Sequence, residues 1–365
     1  MALRCDLIIR DATIIDGTGA PSRRGDIGVS GDRIVAVGDL GGASADREVM
    51  AGGKAVAPGF IDSHTHDDRA VLCGPACMTC KISQGVTTVV VGNCGVSLSP
   101  ARFSKRPPPP LDLIGEDGWW RFDSFGDYAH ELKKQGSEVN TYALVGHQTM
   151  RVEAMDGDVM RVANDGEIER MRLRVKQSLA EGASGFSTGL YYPLNMHATT
   201  EEVIAVAEPL RAYGGIYVTH MRDEADRVCA SIEETLKIGD RVGCPVWISH
   251  HKCSMPENYG RSNQTLALID AYAQSQEVCF DVYPYPAGST VLMPDRLRDD
   301  VKVMITWSIP HPEMAGKYLS DIARGWNTDI RMAAERLLPA GQITFQMDEA
   351  DVRRIMAHPM SVIGS

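Results

Sequence analysis

APGFIDSHTHDD, residues 57–68, decides how this chain is read. An apolar run leads into two histidines one residue apart, His64 and His66. Side chains two apart on a strand face the same side, so both imidazoles point together from the end of a strand predicted over 59–66. Upstream, residues 6–39 are short β-rich runs cut by DG, PS and SGD turn signals, the pattern of a small antiparallel sheet. Downstream the rhythm changes. Strands predicted over 59–66, 86–94, 141–147, 184–189, 215–221, 245–251, 277–285 and 361–365 alternate with helical stretches. Those over 165–182, 199–214 and 227–243 carry helix start and stop signals, clearest in 199–214 with its Thr cap, early glutamates and final glycine. Eight strands interleaved with helices are the count for a (β/α)8 TIM barrel with right-handed crossovers. An open doubly wound sheet is the runner-up, but it would carry a glycine-rich phosphate turn after its first strand, and HTHDD is no such turn.

This reading divides the chain into a small β domain over 1–57 and a barrel over 58–365. The excursion over 286–360 is longer than one helix requires, and a long excursion after a barrel strand is expected to act as a lid over the active site. The proline run in SPARFSKRPPPPLDLIGEDGWWRF (99–122) forbids a helix or a central strand, so a loop near the barrel mouth is expected.

With 365 residues, 44% of them hydrophobic and 23% charged, the composition is that of a folded protein. A net charge of −11 without clustered lysine or arginine excludes a nucleic-acid partner. MALRCDLIIRDATIIDG has charges inside its apolar stretch and does not read as a secretory signal. No run approaches the roughly 18–20 apolar residues of a membrane helix, so no membrane partner is expected and a cytoplasmic location follows by default. Nine cysteines, an odd number, read as reduced thiols. Cys73, Cys77 and Cys80 have spacings suggestive of a zinc knuckle, but no second Cys/His pair follows, and the segment reads better as a helix ending at Gly85.

The imidazoles and thiols are distributed informatively. Cys94 ends the second predicted strand, His220 the fifth and His250 the sixth. In a barrel these ends converge on one mouth, where such enzymes keep their active sites. A single strand-end histidine is ordinarily structural and a lone cysteine ordinarily packed. Five such groups at four termini point instead to a metal site of His64, His66, Cys94, His220 and His250. His130, His197, His311 and His358 read as structural, His251 faces away from His250, and His147 is open between touching a metal and supporting its ligands. One thiolate with imidazoles suits Zn2+ in an open catalytic site, whereas Mg2+ or Ca2+ would want oxygen donors. Such an ion acidifies water and polarises a carbonyl, so hydrolysis of an amide or ester is its natural reaction. A carboxylate must then carry the proton; Asp67, Asp68, Asp223 and Asp281 lie near strand ends, none clearly placed for it.

APGFIDSHTHDD, ISQGVTTVVVGNCGVS, VTHMRDE, ISHHK, YPYPAGST and the final VIGS together resemble the N-acyl-D-amino-acid deacylases (D-aminoacylases) of the amidohydrolase superfamily, from the first strands to the last residue. GNCG is the most specific element, since a cysteine stands where most superfamily relatives use a carboxylated lysine. The resemblance implies a barrel of amidohydrolase type with a small N-terminal β-sandwich domain. It implies one tight zinc on Cys94, His220 and His250, with His64 and His66 at a weaker second position. It also implies hydrolysis of N-acyl-D-amino acids to a carboxylate and a free D-amino acid. Lys252, Tyr283 and Ser289 match groups that hold the substrate α-carboxylate, and Tyr192 matches a residue of the same pocket. A cation and hydroxyls suit an anionic substrate. Arg296 could favour an acidic side chain, or Met347 an apolar one.

The family's catalytic aspartate follows directly on the motif that VIGS resembles, and the sequence ends at Ser365. No catalytic residue is therefore assigned. The barrel is expected to be incomplete at its C-terminus and the β domain to lack its last strands, as in a fragment of a longer reading frame or a truncated product with little activity. The competing readings are a cyclic-amide hydrolase of the dihydroorotase or hydantoinase kind, against which Cys94 speaks, and a non-catalytic metal-binding protein.

Overall fold

The computed structural model describes residues 3–115 and 118–364. Two compact units emerge, Met1–Phe60 and Ile61–Ser365.

The first unit is one five-stranded sheet: β1 (Arg4–Ile14), β2 (Arg23–Ser30), β3 (Arg33–Gly38), β4 (Ser44–Met50) and β5 (Ala55–Val56). β2 lies antiparallel to β1, as turn signals between consecutive runs require, but β4 and β5 run parallel to β1, so the sheet is mixed rather than antiparallel. The crossover to β4 carries the turn signal Gly41-Gly42, but a turn signal does not say beside which strand, or in which direction, the next one pairs. Ala12, Ile14, Ile27 and Ala51 form its apolar core. Arg10 sits between Asp26 at 3.2 Å and Glu48 at 2.6 Å and also donates to the carbonyls of Leu40 and Ala43.

The second unit is built on eight parallel strands. In chain order they are β6 (Phe60–Asp62), β7 (Val86–Val91), then, after a short ribbon of β8 (Ala101–Arg102) with β9 (Arg121–Phe122), β10 (Asn140–Gly146), β11 (Gly185–Gly189), β12 (Ile216–His220), β13 (Val246–Ile248) and β14 (Val278–Val282). The last, β18 (Ser361–Ile363), pairs with β14. Ser365, the final residue of the expected eighth strand, lies outside the described residues. Neighbours run from β6 at one end to β18 at the other. The two ends nearly meet: a Cβ added at Gly364 would stand 3.2 Å from the His64 Cβ. This is a nearly closed barrel of the expected kind.

Helices follow the strands where the sequence asks for them. Asp165–Ala180 starts at a reciprocal cap in which Asn164 accepts from the Glu167 amide and the Glu167 carboxylate accepts from the Asn164 amide. Val228–Val242 ends at Gly243 in the left-handed conformation. The helix expected over 199–214 is two pieces, Thr200–Ala207 and Leu210–Tyr213, because Pro209 interrupts it. Val89, Phe186, Tyr217, Ile248 and Phe280 are among the side chains of the main core. Among the described residues no helix is long and apolar enough to cross a membrane.

Two segments are more ordered than their sequence suggests. The proline-rich segment forms no long helix or central strand, as expected, but it carries the β8–β9 ribbon and a short turn at Leu111–Leu113, and Leu111, Ile114 and Trp120 are buried in the main core. The excursion over 286–360 is a folded layer with its own core. β15 (Gly288–Val291), β16 (Lys302–Ser308) and β17 (Ala340–Phe345) form an antiparallel sheet, backed by helices Leu319–Gly325 and Ile330–Leu337.

Candidate metal centre

The predicted strands overreach at their C-terminal ends, and the residues beyond those ends carry the chemistry. β6 stops at Asp62 and the chain bends at His64, yet Thr65 still donates its amide to the Val90 carbonyl at 3.0 Å, which keeps the segment bearing His64 and His66 tied to β7. β7 stops at Val91, and Cys94 follows in the turn Gly92–Gly95 with φ of +54°. β13 stops at Ile248, and His250 follows with φ of +36°. His220 is the last residue of β12. Left-handed backbone at two residues that are not glycine is uncommon and clusters at functional sites. Gly92 makes the cysteine turn possible: a Cβ there would fall 2.1 Å from the Leu144 carbonyl oxygen.

The five side chains come together. The donor atoms of Cys94, His220 and His250 lie within 4.8 Å of one another, and so do those of His64, His66 and Cys94. Cys94 Sγ is 3.5 Å from His250 Nε2 and 3.3 Å from His64 Nε2. With Zn–S near 2.3 Å and Zn–N near 2.05 Å, the sulfur-to-nitrogen edge of a zinc tetrahedron is about 3.5 Å. Neither ring nitrogen of His220 has a hydrogen-bond partner although the residue is buried, which is what a lone pair kept for a ligand looks like. The donor set therefore fits a zinc ion.

Around the donors stands a ring of carboxylates and one ammonium. His250 Nδ1 is 3.0 Å from Glu224, and His64 Nδ1 is 3.2 Å from Asp281. Glu224 also receives the Lys252 ammonium at 2.7 Å, while Asp281 accepts from Trp247 Nε1 and the His250 amide. Burial works against a charged His64 ring, but the Asp281 carboxylate and the Cys94 sulfur outweigh it and raise it well above the ordinary value. Burial takes His220 and His250 well below theirs, with the Lys252 charge adding to the effect on His250. Neutral rings are the form that binds a metal. Lys252 is buried too, yet Glu224 and Tyr283 hold it above its usual value and so charged.

The centre opens into a cavity of about 710 Å³, within the range for small-molecule sites. Tyr192, Lys252, Tyr283 and Ser289 all line it. Tyr192 Oη is 3.1 Å from Thr290 Oγ1, and the Lys252 ammonium lies 5.5 Å over the Tyr283 ring. Arg296 lines it as well, with its guanidinium 4.0 Å over the Tyr191 ring, whereas Met347 is buried off the cavity.

Several candidates fall elsewhere. His147 is fully buried against Asn195 and Glu202, away from the donors. His251 hydrogen-bonds Thr265. Cys73, Cys77 and Cys80 are exposed and, among the described residues, form no donor group with close neighbours. Asp68 is buried and accepts from the Gly92 and Leu98 amides; burial nevertheless lifts it to about 7. Among the described residues the cavity carboxylates Asp223, Glu224 and Asp295 each already have partners. Glu224 escaped the sequence reading; its one signal is a spacing of four from His220 in an irregular segment, too weak to act on.

A model of the amidohydrolase family matches residues 47–283. The chain is 49% identical over 360 residues to a D-aminoacylase of Alcaligenes xylosoxydans xylosoxydans, covering 99% of this chain and 74% of that protein. It is 48% identical over 364 residues to an N-acyl-D-aspartate deacylase of the same organism, covering 99% and 72%. It superimposes with a TM-score of 0.93 and 45% identity on the crystal structure of an N-acyl-D-glutamate deacylase of Bordetella bronchiseptica complexed with zinc and a phosphonate inhibitor, covering 99% and 76%.

Proposed function

The chain belongs to the amidohydrolase family, and on that premise we propose that it hydrolyses the amide bond of N-acyl-D-amino acids with zinc as cofactor, releasing a carboxylate and a free D-amino acid. The observation that carries the reading is the sulfur of Cys94 at zinc-edge distance from His250, beside the unpartnered nitrogens of His220. Bound zinc supplies Lewis acidity, acidifying water and polarising the acyl carbonyl. Cys94, His220 and His250 hold it tightly, and His64 and His66 offer a second, weaker position.

The remaining residues orient and neutralise. His250 Nδ1 is engaged on the protein side, 3.0 Å from the Glu224 carboxylate and 2.8 Å from the Lys252 ammonium, and Nε2 is the nitrogen that faces the sulfur. Asp281 accepts from His64 Nδ1 at 3.2 Å in the same way, leaving His64 Nε2 toward the sulfur. Lys252 serves the substrate α-carboxylate. Its charge is shared with Glu224, so it acts with the hydroxyls of Tyr283 and Ser289 as a polar cradle rather than as a lone cation. Tyr192 closes the same wall through Thr290. The proton-carrying base is assigned to none of the cavity carboxylates, because each is already paired. The relatives act on linear amides, so the cyclic-amide reading is set aside.

The test is a chiral panel: N-acetyl-D- and N-acetyl-L-amino acids with apolar and acidic side chains, offered to zinc-loaded protein expressed from its whole gene. Release of free amino acid from the D series alone, abolished by chelation and restored by zinc, is expected. Equal turnover of both series, or activity indifferent to chelation, would overturn the reading.

A further inference from the structure

We propose that Gln148 is a positioning residue for Cys94, holding the backbone of the cysteine turn so that the sulfur faces the histidines. This rests on the reading of Cys94 as a zinc ligand and deepens it.

Because β7 ends at Val91, the turn Gly92–Gly95 is off the ladder and its buried backbone groups need partners elsewhere. Three buried side chains from three different parts of the barrel supply them: Asp68 after β6, Ser187 within β11 and Gln148 in the helix after β10. Asp68 accepts from the Gly92 amide at 3.1 Å. Ser187 Oγ donates to the Gly92 carbonyl at 2.5 Å and accepts from the Gly95 amide at 3.0 Å, bridging the turn. Gln148 makes the contact next to the sulfur-bearing residue: its carboxamide Nε2 donates to the Cys94 carbonyl at 2.7 Å, and its own amide donates to the Gly95 carbonyl at 2.9 Å. Two consecutive carbonyls are thus clamped by one residue.

The clamp is possible because Gln148 is the second residue of helix His147–Ala154, where the amide has no partner within the helix and is free for the turn. The corridor is tight. A Cβ on Gly189 would stand 2.2 Å from the Cys94 carbonyl oxygen and 2.6 Å from Gln148 Nε2. Gln148 is fully buried and its recorded bonds go to main chain, not to the sulfur or the rings. Its effect on the centre therefore passes through the left-handed backbone of Cys94, φ +54°, whose carbonyl direction it fixes. A relaxed Cys94 would swing its Cβ, and the sulfur with it, off the shared donor set.

The experiment uses the full chain with Gln148→Met, which keeps the volume and removes the donor. Two readouts are taken, zinc affinity by chelator competition and the thiolate-to-cobalt charge-transfer band of the Co2+-loaded protein. Val175→Ala, in the buried face of helix Asp165–Ala180, controls for general loss of stability. The expected result is a weakening of zinc binding by about 10- to 100-fold, as for other residues that support a ligand, with a weakened or displaced cobalt band. The control should melt earlier yet keep both. If Gln148→Met does not fold, Gln148→Asn, which withdraws the carboxamide by one methylene, is read instead. Native affinity and an unchanged band in the folded variant would overturn the proposal. Absence of the band in the unaltered chain would overturn the ligand reading, and this proposal with it.

Discussion

His220 and His147 hold comparable stations, one ending β12 and the other directly following β10, and both are buried. Their surroundings differ. His147 Nδ1 hydrogen-bonds Asn195 at 3.0 Å, and its Nε2, without hydrogen-bond geometry, stands 3.2 Å from the Glu202 carboxylate, which is in turn held by Arg151 at 2.7 Å. His220 has no hydrogen bond at either nitrogen, and Glu224 stands 3.6 Å away, beyond bonding distance. A strand-end position does not by itself distinguish ligand from brace. The polar partners already spent do: a ring with one hydrogen bond and a carboxylate at its other nitrogen is braced by the protein, whereas a buried ring with both nitrogens open asks for a partner from outside the chain.

The largest effect should come from removing the sulfur on the open side. Cys94→Ala is expected to weaken zinc binding beyond the roughly 100-fold that a supporting residue is worth, and to take hydrolysis with it. Fold stability measured in chelator should change little, since the lost contribution is that of the bound ion. Metal analysis after dialysis against a weak chelator decides this. Stoichiometric zinc in the variant would erase the contrast between the two histidines.

The closed side should respond in the other currency. Arg151 is fully buried, donating to Glu202 and to the carbonyls of Val159, Arg161 and Leu194. Glu202→Ala leaves that guanidinium uncompensated and should cost about 3–5 kcal/mol in denaturant unfolding, while zinc stoichiometry in the folded protein is kept. Loss of zinc from a folded Glu202→Ala protein would show that the two regions are one.

Much of the open side was legible, and the reason is local. Strand ends can be read from apolar runs followed by turn residues, and the barrel converts eight such ends into one mouth, so His64, His66, Cys94, His220 and His250 could be gathered without coordinates. What could not be read is set by contacts distant in sequence. The left-handed turn at Cys94 depends on Asp68, Gln148 and Ser187, each from another element of the barrel. Glu224 and Asp281 acquire their roles from the rings they face, which no spacing encodes. The parallel course of β4 and the sheet within 286–360 were missed for different reasons. β4 follows an ordinary Gly41-Gly42 turn signal that does not encode its parallel pairing with β1, whereas KVMITWS (302–308) does show strand-like alternation in a segment read whole as a lid.

The smallest effect sharpens the comparison by pH. Arg161, whose carbonyl receives Arg151, also grips Glu167 with two hydrogen bonds of 2.7 and 2.8 Å. Those bonds, with the Asn164 amide, hold the buried Glu167 carboxyl down at about 2 despite burial, which acts the other way. A carboxylate depressed in the folded state contributes stability that is fully present above its unfolded value, near 4.3, and is lost as the pH falls toward about 2. Zinc should leave earlier on the way down, because protons compete for imidazole and thiolate ligands at higher pH than for this carboxyl. Acid titration followed by metal release and by helical signal should therefore show two separated events. Glu167→Gln should cost about 1 kcal/mol at neutral pH, the scale of a lost helix cap, and flatten the lower event without moving the upper one. A single coincident transition in both proteins would mean that the metal centre and its neighbouring brace share one cooperative unit, and that the distinction between open and closed histidines is local to hydrogen bonding and has no separate thermodynamic signature.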